Sequence, residues 1–431
     1  MKIIKNELLN ESIQYKKLKN HMDVFFMRKE GFNKKYAVLA THYGSNDLEW
    51  ISPHTGEKLR VHEGIAHFLE HKMFEQPGGG NAFDEFAKIG ASANAFTNFN
   101  MTAYLFSATE NFDQGLRHLI SYVQTPCFTE ENVEKEKGII AQEIKMYEDN
   151  PHWQSFLETL KAMYVDHPNR IDIAGTVESI RKITPEELYT CYNSFYSPSN
   201  MALFVIGDLS AEEVFAIVEE TVSDKNQFEG KLERICVEEK DEVAEKFVRR
   251  KMDISVPMFS IGFKERAAHL KQGVLKREIT TELILDVLFR KGSPLYDELY
   301  MEGLVFGGLE ADYTASSDYG YTILAGESRN TEEVRRRITE TLRQAKEQGI
   351  DPEAFEIAKK KKLGAFIRSF DSIEGVANGY LGYHFCGVDI FDYYRQLNEV
   401  SLGDLENRLR EHFDEEMQVL TLIEPMQEAC A

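Results

Sequence analysis

The order of elements read in the first half of this 431-residue chain is met again in the second, and that repetition constrains the fold more than any other feature. Two alternating runs, MDVFFMRK and KKYAVLATHYG (22–44), predict paired strands. A helix is predicted over 62–74, closed by the turn Pro77-Gly78-Gly79-Gly80. Asn81 suits the N-cap of a short helix, AFDEFAKI, that stops at Gly90. SANAFTNFN and TAYLFSAT predict a hairpin. Helices over 110–124 and 130–149 follow, the second capped by Thr129, and then a buried strand, MALFVIGDL (201–209). Residues 224–247 are the most continuously charged stretch, and after them the pattern restarts. FSIGFKE (259–265) parallels YAVLATHYG, and REITTELILDVLF (277–289) parallels HEGIAHFLEHKMF (62–74), with Glu282 standing 215 positions after His67. Strands FGGLEADYT and DYGYTILAGES and helices over 331–347 and 352–369 complete the second copy.

A chain this long exceeds one ordinary core, and a repeated set of elements predicts two similar halves. The expected fold class is α+β: two homologous α/β-sandwich halves, each an antiparallel-rich sheet flanked by helices. The expected boundaries are 1–225 for the first domain, 226–247 for a charged linker and 248–431 for the second domain.

The halves differ in chemistry. A helix turns about 100° per residue, so His67 and His71, four apart, lie nearly above one another. That spacing lets two imidazole nitrogens converge on one Zn²⁺ at about 2.0–2.1 Å. Glu70 shares their face and can reach a water, the fourth ligand, as general base. H-x-x-E-H is the inverted form of the H-E-x-x-H zinc-peptidase motif. The second copy has Glu282, Leu285 and Asp286 at these places, so only the first half is expected to hold metal, one Zn²⁺ per chain.

A catalytic zinc needs a third protein ligand. Glu136 and Glu143 lie seven apart on the helix over 130–149 and share a face. Most helical glutamates are solvated, but Ile139 and Ile140 lie close to this face and favour its partial burial. Glu143 is read as the third ligand and Glu136 as an outer partner that orients one.

HEGIAHFLEHKMFE, NAFTNFNMTAYLFSA and EKEKGIIAQEI together resemble the pitrilysin family of inverted zinc metallopeptidases, which includes insulin-degrading enzyme and the mitochondrial processing peptidases. The resemblance covers essentially the whole chain, with HPNRIDIAGTVESI, FYSPSN and VIGD as further landmarks. It implies ligands at His67, His71 and Glu143, an outer carboxylate at Glu136 and a general base at Glu70. It also implies substrate binding on the segment holding Asn94, Ala95, Thr97, Thr102 and Tyr104, an extended peptide pairing with a strand edge there. The fold it implies is half of a clamshell that admits small unfolded peptides.

One stretch departs from the family. Where members carry an Arg and a Tyr that help bind substrate, LYMEGLVF (299–306) has Tyr300 and Phe306, and a phenylalanine cannot donate a hydrogen bond. Two readings follow: a homologous subunit, in a homo- or heterodimer, supplies the missing pair, or the chain works without it. From a different class comes a non-catalytic binding or scaffold subunit. The intact His67, Glu70, His71 and Glu143 set argues against it.

Composition excludes other classes. A net charge of −22 argues against a nucleic-acid partner. No apolar run suits a signal peptide or a membrane span, and five scattered cysteines (Cys127, Cys191, Cys236, Cys386, Cys430) fit a reducing compartment, so a cytoplasmic protein is expected. His62 and His42 are set aside as structural or loop residues. The lysine run at 359–362 reads as a solvated helix face.

Overall fold

Alternating and continuous apolar runs build two large sheets and a small third one. The computed structural model describes residues 1–224, 226–228 and 232–426. The strands of the first half are β1 (Lys2–Asn6), β2 (Glu11–Lys17), β3 (Asp23–Arg28), β4 (Lys35–Thr41), β5 (Glu49–Ile51), β6 (Lys58–Arg60), β7 (Ser92–Thr97), β8 (Thr102–Ala108) and β9 (Met201–Gly207). A short β10 (Glu233–Arg234) joins β5 and β6 in a small three-stranded sheet, and the other seven strands form one sheet in the order β1-β2-β3-β9-β4-β8-β7. β3 and β4 are therefore not paired, contrary to expectation. β9 is buried at every residue and needs a partner on each edge. It runs parallel to β3 and antiparallel to β4, separating them. β7 and β8 form the expected hairpin, and β7 is left as the free edge.

Helices α1 (Ile65–Met73), α2 (Ala82–Lys88), α3 (Phe112–Val123) and α4 (Glu130–Glu148) put Phe68, Leu69, Phe86, Leu119 and Ile140 into one core with Tyr104 and Phe106 of β8. Asn81 caps α2 by accepting from the Phe83 amide, and Gly90 follows it at φ 74°, as the sequence indicates.

The second sheet contains β11 (Phe247–Met252), β12 (Met258–Lys264), β13 (Phe306–Ala315), β14 (Gly320–Glu327) and β15 (Gln418–Pro425) in the order β11-β15-β12-β14-β13. β11 is parallel to β15 and every other pairing is antiparallel, which reproduces β3-β9-β4-β8-β7 strand for strand. The repeat read from the sequence is a repeat of pairing topology.

The units do not follow the expected cuts at 225 and 247. Met1–Ile144, Asp172–Cys236 and Ile367–Gly387 make one, and Lys145–Ile171, Val237–Phe366 and Val388–Ala431 the other. Each half lends one helix. α5 (Pro151–Met163) packs on β12 and β15, where the Thr159 hydroxyl donates to Ser260 Oγ at 2.9 Å. Gly262 makes room for it, since a Cβ there would meet the Thr159 methyl at 2.8 Å. Helix Ile373–Phe385 packs on β4 and β9, with Tyr36 donating to Asn378 Oδ1 at 2.9 Å. A cut by sequence assumes that each helix stays on its own sheet, and no local signal marks these two.

Nor is the charged stretch a bare linker. Glu239 accepts from the amides of Val165, Asp166 and His167 at 2.9, 2.9 and 2.6 Å. None of the described cysteines is in a disulfide, and Cys430 lies outside the described residues. No helix among the described residues is long and apolar enough to cross a membrane.

Candidate metal centre

The start of α1 is fixed by backbone crowding. Gly64, at φ 87°, lies against the Ala174 carbonyl, which a Cβ would meet at 2.4 Å, so only glycine fits. Just before it, the His62 amide and Nδ1 both lie 2.9 Å from Glu187 Oε1, which accounts for His62 as structural. α1 then buries Ile65, Phe68, Leu69 and Met73 and turns His67 and His71 together, ring centroids 4.6 Å apart.

α4 brings the third group. It buries Val133, Ile140 and Ile144, while Ile139 stays 48% exposed, so only one of the two isoleucines expected near this face is inside. Glu143 Oε1 lies 3.7 Å from His67 Nε2, and its Oε2 lies 3.5 Å from His71 Nε2. One ligand atom from each of the three residues falls within 4.8 Å of the others, and this is the only such group among the described residues.

These separations fit a cation. Tetrahedral ligands about 2.0–2.1 Å from zinc stand roughly 3.3–3.4 Å from one another, longer than a hydrogen bond and close to the distances here. The donor set, two imidazoles and one carboxylate, is one that zinc takes in hydrolytic sites. The tautomer also fits: His71 Nδ1 donates to Glu136 Oε1 at 3.0 Å, leaving Nε2 with its lone pair toward Glu143.

Burial, with His71 alongside, pushes His67 down to about 3, so at neutral pH its imidazole is uncharged. Burial acts the same way on His71, but the Glu136 hydrogen bond and the carboxylates of Glu70, Glu136 and Glu143 outweigh it and raise the net value. A bound divalent cation would take the place of that proton. For Glu136 burial opposes ionisation, yet His71 and Lys72 hold the carboxyl below its usual range.

Glu70 is 7% exposed, and burial raises its carboxyl against the opposing bond from Thr97. The Thr97 hydroxyl donates to Glu70 Oε2 at 2.7 Å. Thr97 thus meets the carboxylate rather than standing out toward a peptide, which revises the substrate-binding expectation for it. Its neighbour Thr102 lies 3.3 Å away and donates to the Tyr43 carbonyl at 2.9 Å. Tyr104 is corrected outright: it is fully buried beneath α1, its hydroxyl 2.7 Å from that of Tyr196, and no peptide can touch it. Asn94 is exposed and Ala95 half-buried on the free edge β7. The tip of this hairpin is held where the Ser45 and Asn46 amides donate to Asn98 and Phe99 carbonyls, each at 3.0 Å. Gly44 allows that approach, since a Cβ would meet Phe99 and Asn100 backbone atoms at 2.4 Å.

Sequence reasoning passed over Lys72. It is completely buried, 2.8 Å from Glu75 Oε2 and 3.5 Å from Glu136 Oε2. The available signal was an i,i+3 pair on the buried turn that carries His71.

In the second half, Glu282 and Asp286 face cations of the protein itself. Arg290 reaches Glu282 at 2.6 Å, Lys361 reaches Asp286 at 2.7 Å, and Lys362 pairs with Glu282. The lysine run is therefore only partly a solvated face. Tyr300 is 58% and Phe306 40% exposed, Tyr300 stacking on Tyr296 at 6.3 Å.

Residues 59–177, which include His67, Glu70, His71 and Glu143, match the family described as insulinase (peptidase family M16), and residues 182–362 match the peptidase M16 inactive domain. The chain is 41% identical to the uncharacterized zinc protease YmfH of Bacillus subtilis (strain 168), over 95% of its own length and 96% of the relative's. The crystal structure of an M16-like peptidase from Alicyclobacillus acidocaldarius superposes with a TM-score of 0.91 at 37% identity, covering 96% of this chain and 98% of that one. Pitrilysin shares the fold with a TM-score of 0.76 at 19% identity, and the match spans all of this chain but 47% of pitrilysin.

Proposed function

This chain belongs to the M16 insulinase family of peptidases, and from that premise we propose that it is a zinc-dependent endopeptidase acting on short unfolded peptides. The observation that carries the reading is the convergence of Glu143 of α4 with His67 and His71 of α1 within 4.8 Å, beside the Glu70 that α1 buries.

Bound in that cage, zinc would supply Lewis acidity toward a peptide carbonyl and a nearby water. Glu70 takes the proton of the attacking water and returns it to the leaving amine. Its burial suits this, because a carboxylate raised above its usual range is a stronger base. Thr97 holds the carboxylate in one orientation. The free edge of β7 offers backbone groups to an extended peptide, with Asn94 and Ala95 beside it.

Tyr300 and Phe306 favour a second element of the proposal: a homologous partner subunit supplies the donor pair that this chain lacks. The alternative, a binding or scaffold subunit without turnover, predicts metal without hydrolysis. Metal analysis and peptide cleavage separate the readings. The wild-type chain should hold one zinc, His71→Ala should lose it, and Glu70→Gln should keep it while losing about 10²–10⁴-fold in rate. A zinc-free wild type under metal-replete conditions overturns the proposal. Zinc retained with no cleavage, alone or with a homologous subunit, establishes the scaffold instead.

A further inference from the structure

An ammonium group with no exposure to water lies directly behind the metal cage. Lys72 follows His71 on α1, its side chain 0% exposed, with Nζ 2.8 Å from Glu75 Oε2 and 3.5 Å from Glu136 Oε2. Glu136, itself 7% exposed, divides its two oxygens: Oε1 accepts from His71 Nδ1 at 3.0 Å and Oε2 faces Lys72. The groups form a chain, Glu75, Lys72, Glu136, His71, leading toward the lone pair aimed at Glu143.

We propose that Lys72 is a positioning residue of the metal centre, acting through Glu136 to hold the His71 ring in its ligating orientation. The inference rests on His67, His71 and Glu143 being the zinc ligands.

Burial is the first argument. An exposed i,i+3 pair is worth only a few tenths of a kcal/mol and needs no enclosure. Sealing an ammonium from water costs several kcal/mol, and an apolar side chain of similar volume is commonly as stable or more so. At a fully enclosed position beside Met73, a leucine or methionine would serve packing equally well. The lysine is accounted for by the carboxylate it faces.

The second argument is geometric. A buried carboxylate bonded through one oxygen only can turn about its side-chain torsions, carrying the acceptor away from Nδ1. A cation 3.5 Å from the other oxygen, an ion pair and not a hydrogen bond, restrains the group electrostatically at its second end. Partners of this kind behind a ligating imidazole affect metal affinity by about 10–100-fold.

The test is the zinc dissociation constant, measured by competition with a chromogenic chelator, for wild type, Lys72→Met, Glu136→Gln, the double variant and Glu75→Gln. Lys72→Met should weaken zinc about 10–100-fold. With Glu136 already changed to Gln, the same substitution should cost less than about threefold, because the route to His71 is gone. Glu75→Gln removes the helical ion pair but leaves Lys72 facing Glu136, so it should stay within about threefold of wild type. Wild-type affinity in Lys72→Met overturns the proposal, as do multiplicative losses in the double variant or a loss in Glu75→Gln equal to that in Lys72→Met. Should Lys72→Met fail to fold, the double variant, which removes both buried charges, is compared with Glu136→Gln alone: equal affinities support the inference and a further tenfold loss sinks it. A wild type without zinc would instead defeat the ligand assignment itself.

Discussion

Changing Thr97 to valine keeps the shape of the side chain and removes one hydroxyl, the donor lying 2.7 Å from Glu70 Oε2. The acceptor is a buried carboxylate, and a hydrogen bond to a charged group contributes about 1.5–3 kcal/mol. If Glu70 is the base, that loss falls on the proton-transfer step. At 1.36 kcal/mol per decade the lost positioning lowers kcat by at most roughly 10–150-fold, the stronger basicity of the unbonded carboxyl offsetting part of it. KM should stay within about twofold, because Thr97 meets Glu70 and not the peptide. The bond also opposes the upward push of burial on the Glu70 carboxyl. Without it the carboxyl rises further, and the acid limb of kcat/KM moves to higher pH. Steady-state cleavage of a fluorogenic peptide across pH, with zinc content measured on the same samples, provides every quantity needed. Thr97→Ser retains the hydroxyl and should recover most of the rate. An unchanged kcat would refute the reasoning. A raised KM at constant kcat would restore Thr97 to the substrate-binding role that the sequence suggested.

Gly44→Ala places a methyl 2.4 Å from Phe99 and Asn100 backbone atoms and should lower the Tm by several degrees while releasing the hairpin tip; an unchanged Tm would show that the loop yields freely. His412 is enclosed, and burial, aided by Arg408, pushes it down to about 4. The unfolded chain therefore binds the proton first, and stability falls as pH drops from about 6.5 toward 4. From pH 7 to 5 this group alone removes about 2 kcal/mol, so His412→Gln should show a smaller drop in Tm over that interval than wild type. Tyr300→Arg combined with Phe306→Tyr should raise the cleavage rate of the isolated chain by about tenfold if the missing donors limit it, and no gain would argue against the divided site.

The parts of the fold that repeat locally were the parts most legible in the sequence. Periodicity found the helices at 65–73 and 130–148 within a few residues, and it found the hairpin because Asn98 to Asn100 punctuate two apolar runs. Non-local pairing was not legible: β9 enters between β3 and β4 from more than 150 positions away, and nothing in residues 22–44 records its arrival. The site divides in the same manner. Helical geometry set His67, Glu70 and His71 side by side, and the shared face of Glu136 and Glu143 singled out the second helix. Whether Tyr104 points up to a peptide or down to Tyr196 depends on strand facing, which a motif does not encode. Lys72 was passed over because its i,i+3 pair with Glu75 reads as an ordinary surface pair, while the partner that makes it informative, Glu136, lies 64 residues on and its burial is not written in the sequence.

The exchanged helices constrain how the chain can be made and broken. During synthesis, β4 and β9 wait for a covering helix that begins at Ile373, so the first sheet is complete only when the ribosome has passed Phe385. Conversely, a protease nick within the charged stretch before β11 would separate neither sheet from its lid cleanly. Each fragment would carry off a helix belonging to the other, and a nicked chain that still held together would do so through this mutual loan.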